Sequence, residues 1–151
     1  MARSELSSHR GQRPPRATSE HVSSVMKSNR SRGTFPERLM AKELRRLGLT
    51  NFATNVASLP GKPDLVFPLE RAAVFVYGCF WHRCDRCGIR LPRTHQDYWR
   101  RKLEGNRRRD RRVREALRRE GWRVLTVWEC ALKSSPDTSV AAVARRIIRI
   151  R

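Results

Sequence analysis

The sequence predicts an α/β domain, a mixed sheet flanked by helices. Three observations carry that expectation. Residues 72–77 and 122–128 are β-branched and aromatic runs with the composition of buried strands. Residues 96–120 repeat their apolar positions at helical spacing, so a long helix joins those two strands. The first strand also runs on into Gly78-Cys79-Phe80-Trp81-His82-Arg83-Cys84-Asp85-Arg86-Cys87. Two large aromatics, an imidazole and a Cys-x-x-Cys pair behind one strand end are too much chemistry for an ordinary turn.

The chain of 151 residues is long enough for one domain with a real core. Its 34 Lys and Arg against 14 acidic residues give a net charge of +20, which calls for a polyanionic partner. Nucleic acid fits best, because phosphate neutralisation and counterion release dominate its affinity. A membrane surface fits poorly, since no basic helix has a clean apolar face and no apolar run is long enough to span. The N-terminus is polar and basic without a signal-peptide pattern. A cytoplasmic location is expected, where four cysteines act as metal ligands or free thiols rather than disulfides.

In chain order, residues 1–18 are rich in Ser, Arg, Gly and Pro and read as a disordered basic arm. A single folded domain spans 19–151. Residues 19–32 form a short helix with Val22, Val25 and Met26 on one side, ended by Gly33. Thr34-Phe35-Pro36-Glu37 is a capping box that opens a helix to Leu47, stopped by Gly48. Residues 52–56 are a first strand, 64–67 a second after the Pro60-Gly61-Lys62-Pro63 turn, and 72–77 a third. The long helix turns Trp99, Leu103, Asn106, Asp110, Val113 and Leu117 inward and a wall of arginines outward, Arg101, Arg108, Arg111, Arg112 and Arg119 among them. A fourth strand leads to Glu129 and Cys130. A final helix from about Thr138 buries Val140, Val143, Ile147 and Ile150.

Two constellations carry chemistry. Cys84 and Cys87 have the spacing of half a zinc site, with Cys130 as a third ligand and Asp110 as the fourth. An acid on a core stripe needs a cation or a metal, and His95 competes with it for that place. A redox pair or inert thiols, with Asp110 paired to an arginine, is the plainer reading. Cys79 reads as a core thiol. The second constellation is Asp64 at a strand mouth, beside a main-chain carbonyl, where Mg²⁺ finds oxygen ligands. His82 would then be the general acid or base. Plainer roles are a turn for Asp64, a zinc or loop residue for His82, and the capping box for Glu37. Phe80 and Trp81 stack on bases or form a satellite cluster over the loop. Core packing is the plainer use of Met26.

Taken together, Leu59-Pro60-Gly61-Lys62-Pro63-Asp64, Gly78-Cys79-Phe80-Trp81-His82, Tyr98-Trp99 with Lys102 and Asn106, Arg109-Asp110-Arg111-Arg112 and Trp128-Glu129-Cys130 resemble the very short patch repair (Vsr) DNA mismatch endonucleases. The resemblance covers about residues 22–133, in the same order. It implies a restriction-endonuclease-like fold with a structural zinc and Mg²⁺-dependent nicking 5′ of the thymine in a T:G mismatch, the lesion left when 5-methylcytosine deaminates. It further implies Asp64 and the Val76 carbonyl as Mg²⁺ ligands, His82 as catalytic imidazole and Glu37 as a supporting acid. Cys84, Cys87, Asp110 and Cys130 fall at zinc-ligand positions, Cys84 where some members have His. Phe80, Trp81 and Met26 match residues that wedge into the DNA. Where some members have Thr then His, this chain has Val76 then Tyr77, which removes a second imidazole and leaves Tyr77 free for another use, such as a phosphate contact. The family suggests a monomer associated with the nucleoid, and mismatch-repair proteins are conceivable partners. The rival readings are a non-catalytic zinc-stapled nucleic-acid-binding protein and a nuclease of the same fold acting on matched DNA.

Overall fold

The computed structural model describes residues 32–149; the expected arm at 1–18, nearly all of the helix at 19–32, Met26 and Ile150 lie outside them. Helix α1 (Phe35–Arg46) starts where the capping box puts it, with Thr34 as N-cap. The box itself does not form: the Thr34 side chain caps no helix N–H and donates instead to the Glu37 carboxylate at 2.9 Å, which also accepts from the Gly33 N–H at 2.7 Å. Leu47 caps the other end, and Gly48 takes the left-handed turn that follows, φ +82°.

Strands β1 (Ala53–Thr54), β2 (Leu65–Phe67), β3 (Ala72–Tyr77) and β4 (Arg123–Trp128) form one sheet in the order β1-β2-β3-β4. The first two pairings are antiparallel and β3–β4 is parallel, so the sheet is mixed as expected. The crossover from β3 to its parallel neighbour is helix α2 (Gln96–Arg119). Two shorter corrections concern boundaries. The first strand has two paired residues rather than five, and Asp64 sits just before its strand rather than in it.

Side chains alternate across the sheet and define two layers of packing. Leu65, Phe67, Ala72, Val74, Leu125 and Val127 meet Met40 and Leu44 of α1 and the C-terminal helices. On the other face Ala73, Phe75 and Tyr77 meet Leu117 of α2, with Val113, Trp122 and Trp128 beside them. The chain end after β4 differs from expectation. A helix α3 (Glu129–Ser134) follows the strand directly, and α4 (Pro136–Ile148) begins two residues before Thr138. Ser135-Pro136 separates them, since Pro is well placed at a first helical turn and disfavours helix in the residue before it. Leu132 of α3 is fully buried, so this turn belongs to the core. Among the described residues no helix is long and apolar enough to cross a membrane.

Candidate active site and metal centre

Both constellations lie at the C-terminal ends of the parallel pair β3–β4, and α2 runs past them. The main-chain turn after β3 is tight: His82 N–H donates to the Gly78 carbonyl at 3.1 Å and Cys84 N–H to the Cys79 carbonyl at 2.9 Å. This turn brings Cys79 and Cys84 back beside each other. Cys87 arrives by the Cys-x-x-Cys step and Cys130 from the first turn of α3. The potential ligand atoms of Cys79, Cys84, Cys87 and Cys130 all lie within 4.8 Å of one another.

That set corrects the expected one. Asp110 is not its fourth member, and Cys79 is not a bystander in the core. The physical reason is that Asp110 is already engaged: its Oδ2 lies 2.6 Å from His82 Nδ1. His95 is exposed at the N-cap of α2 and also lies outside the thiol group. The four thiols fit a tetrahedral soft-metal site. A Zn–S bond of about 2.3 Å implies sulfur–sulfur edges of about 3.8 Å, and Cys84 Sγ lies 3.8 Å from Cys130 Sγ. Burial pushes the Cys84 thiol up, but main-chain N–H donation from Cys87 and Arg86, together with the Cys130 and Cys87 thiols, leaves the group below its ordinary value. Burial raises Cys79, whose Sγ also accepts from the Cys130 N–H at 3.4 Å. Glu129 braces the same corner, accepting from the Cys79 N–H at 3.3 Å and from Lys133 at 2.6 Å.

The oxygen-rich corner is built from β2, β3 and α1. Asp64 precedes β2, where its N–H donates to the Val74 carbonyl at 3.1 Å. Its Oδ2 accepts from the Val76 N–H at 2.7 Å, two residues along the same edge. In a strand the N–H and C=O of one residue point to the same side, so the Val76 carbonyl faces that edge too, beyond Leu65, the first paired residue of β2. Burial raises the Asp64 carboxyl to about 7; the Val76 N–H and the neighbouring His82 oppose the rise and the Glu37 carboxylate adds to it. Asp64, Glu37 and His82 therefore share one electrostatic neighbourhood. Two acids and a carbonyl, one acid costly to ionise alone, are a donor set suited to a hard divalent cation.

His82 is held on two sides. Asp110 meets its Nδ1, and the Tyr77 ring lies against its face with centroids 4.0 Å apart and planes 3° from parallel. Tyr77 itself is buried, 4% exposed. Its hydroxyl is pushed up to about 12 by burial first and by the Asp110 charge second, against Arg114 beside it.

Phe80 and Trp81 are both half-buried and stack edge-on to each other at 5.1 Å. Trp99, expected only as a core residue, joins them at 5.5 and 6.0 Å and makes a three-ring platform. Asn106 explains its polar place on the inward stripe by donating to the Trp81 carbonyl at 3.0 Å. The arginines expected outward on α2, including Arg101, Arg108, Arg111, Arg112 and Arg119, are exposed.

A basic α/β scaffold with a desolvated acid corner, a carboxylate-held imidazole and a thiol cluster fits the class of DNA-cleaving enzymes. The comparisons make the class particular. The family model described as DNA mismatch endonuclease Vsr matches residues 16–87. DNA mismatch endonuclease Vsr of Escherichia coli K12 is 38% identical over 122 residues, covering 81% of this chain and 78% of that protein. Type II nicking enzyme V.XorIIP of Xanthomonas oryzae pv. oryzae is 46% identical over 109 residues, covering 72% and 79%. Type II nicking enzyme V.NaeI of Lentzea aerocolonigenes is 44% identical over 108 residues, covering 69% and 64%. The chain belongs to the Vsr family of DNA mismatch endonucleases.

Proposed function

We propose that this protein is an Mg²⁺-dependent, strand-specific DNA endonuclease that nicks 5′ of the thymine in T:G mismatches. The observation that carries the reading is the Asp64 carboxyl gathered with the Val76 main chain, Glu37 and His82 at one strand end. When bound by Asp64 and the Val76 carbonyl, Mg²⁺ would supply stabilisation of the charge that builds on the scissile phosphate. His82, with Nδ1–H donated to Asp110, presents Nε2 to take the proton of the attacking water. Asp110 orients that ring and offsets the charge it gains. Glu37 supports Asp64 from α1 while accepting from the Gly33 N–H and the Thr34 hydroxyl at the helix start.

The four thiolates fit structural zinc, which would tie the loop after β3 to α3 and fix His82 within it. Phe80 and Trp81, backed by Trp99, are the rings to unstack the mismatch, with Met26 wedging from the N-terminal segment. A mismatched step is cheaper to open than a paired one. Exposed arginines of α2 and the basic residues 1–18 supply salt-dependent phosphate contacts. Double-stranded DNA as substrate suits a cytoplasmic, nucleoid-associated enzyme, and the family resemblance suggests a monomer.

The test is a panel of end-labelled duplexes, with T:G, every other mismatch and matched controls in varied flanks, with Mg²⁺ or EDTA. The reading requires a single nick 5′ of the mismatched T that needs Mg²⁺. Equal cutting of matched duplex would point to a restriction-type nuclease. Tight binding without a nick in any context would point to a zinc-stapled binding protein.

A further inference from the structure

The imidazole at the site is constrained by two neighbours that work differently. A single hydrogen bond from Nδ1 to Asp110 at 2.6 Å fixes one edge of the His82 ring but lets the ring swing about that contact. A flat surface against its face removes the swing. Tyr77 supplies that surface, with ring planes 3° from parallel and centroids 4.0 Å apart. The phenol is in turn immobilised from behind: Trp128 meets it edge-on at 5.5 Å and Phe75 at 5.8 Å, in the packed layer beneath α2. The His82 side chain keeps 20% of its surface exposed, so one edge still faces out while the buried face rests on Tyr77.

We propose that Tyr77 is a positioning residue for strand cleavage: its ring, anchored between β3 and β4, sets the plane of the His82 imidazole while Asp110 sets its edge. This rests on the reading of His82 as the general base. It assigns the phenol a mechanical role, in which the aromatic face matters and the hydroxyl takes no part in proton transfer. The ring is buried, 4% exposed, and Arg114 lies beside its hydroxyl. The site then runs on one imidazole held from two sides rather than on two imidazoles. Small errors of aim at a reacting group cost rate steeply, about 100-fold for an ångström-scale misplacement, without weakening substrate binding.

The experiment compares Tyr77→Phe and Tyr77→Leu in the zinc-loaded full chain, with His82→Ala and Asp64→Ala as references. Expected are a kcat within about 3-fold of wild type for Tyr77→Phe and a fall of about 10- to 100-fold for Tyr77→Leu, with KM for the T:G duplex little changed. NMR should show the His82 ring protons shifted upfield by the aromatic face in wild type and Tyr77→Phe, and released in Tyr77→Leu. A folded Tyr77→Phe protein that loses kcat would overturn the proposal, because the hydroxyl would then be at work. So would Tyr77→Leu with undiminished kcat. If Tyr77→Leu does not fold, kcat and the upfield shift in Tyr77→Phe decide alone. Retained nicking in His82→Ala would instead sink the underlying reading of the site, separately from the role of Tyr77.

Discussion

The Nδ1 atom of His82 lies 2.6 Å from Oδ2 of Asp110, across 28 residues of sequence, and this contact joins the loop after β3 to the long helix. It assigns Asp110 to the imidazole rather than to the metal. Asp110→Asn should leave zinc content unchanged and lower kcat by about 10- to 1,000-fold, because an amide neither fixes the Nδ1–H tautomer nor offsets an imidazolium. Zinc analysis beside single-turnover nicking checks it; a variant that loses zinc would return Asp110 to the metal site.

The thiol cluster predicts which residues would hold a metal. Cys79→Ser and Cys87→Ser should each lower zinc content and destabilise the fold by about 3 kcal/mol or more, roughly 6–12 °C in melting temperature. His95→Ala should do neither. Metal analysis with thermal melts checks this, and a zinc-replete, fully stable Cys79→Ser protein would exclude Cys79 as a ligand.

The raised Asp64 carboxyl predicts a pH dependence with a definite sign. Its folded value of about 7 lies above the ordinary 3.8, so the folded state holds the extra proton between the two. Without divalent cation, this contribution to stability is complete below about pH 4 and lost as pH rises through about 7. Asp64→Asn should flatten that slope. A cation requires the ionised form, so Mg²⁺ affinity should climb with pH and level off above about 7. Melting temperature against pH, with and without Mg²⁺, gives both; a slope that survives Asp64→Asn would place its origin elsewhere.

Gly61 predicts how the Asp64 loop is seated. It has φ +72°, and a Cβ there would overlap Cγ1 of Val113 on α2. Gly61→Ala should cost about 2–4 kcal/mol, from left-handed strain and overpacking together. Denaturant melts measure it. Adding Val113→Ala should restore part of the loss if the overlap is the cause.

Much of this was legible from local pattern. The strand at 72–77 is legible at its observed bounds, because β-branched and aromatic residues between a turn and Gly78 leave little choice. The stripe from Trp99 to Leu117 is legible too, polar members included, since helical spacing fixes which residues share a face. What those polar members touch was not legible. Cys84 and His82 lie two residues apart in sequence, and only the turn from Gly78 to Cys84 decides that the imidazole meets Asp110. Cys79 was missed for the same reason: strand alternation points it at the core, whereas the turn folds that corner over Cys84 and Cys130. Helix α3 was hidden by Ser135-Pro136, which reads as a loop until Leu132 is seen filling the core.

The central claim is that Asp64 and His82 act on one phosphodiester while the rings and arginines hold the DNA. The most direct measurement is nicking rate and binding affinity of Asp64→Ala and His82→Ala on the same T:G duplex. The account predicts a loss of at least about 100-fold in nicking for each, with duplex affinity held within a few-fold. Nicking at the wild-type rate by either variant would contradict it.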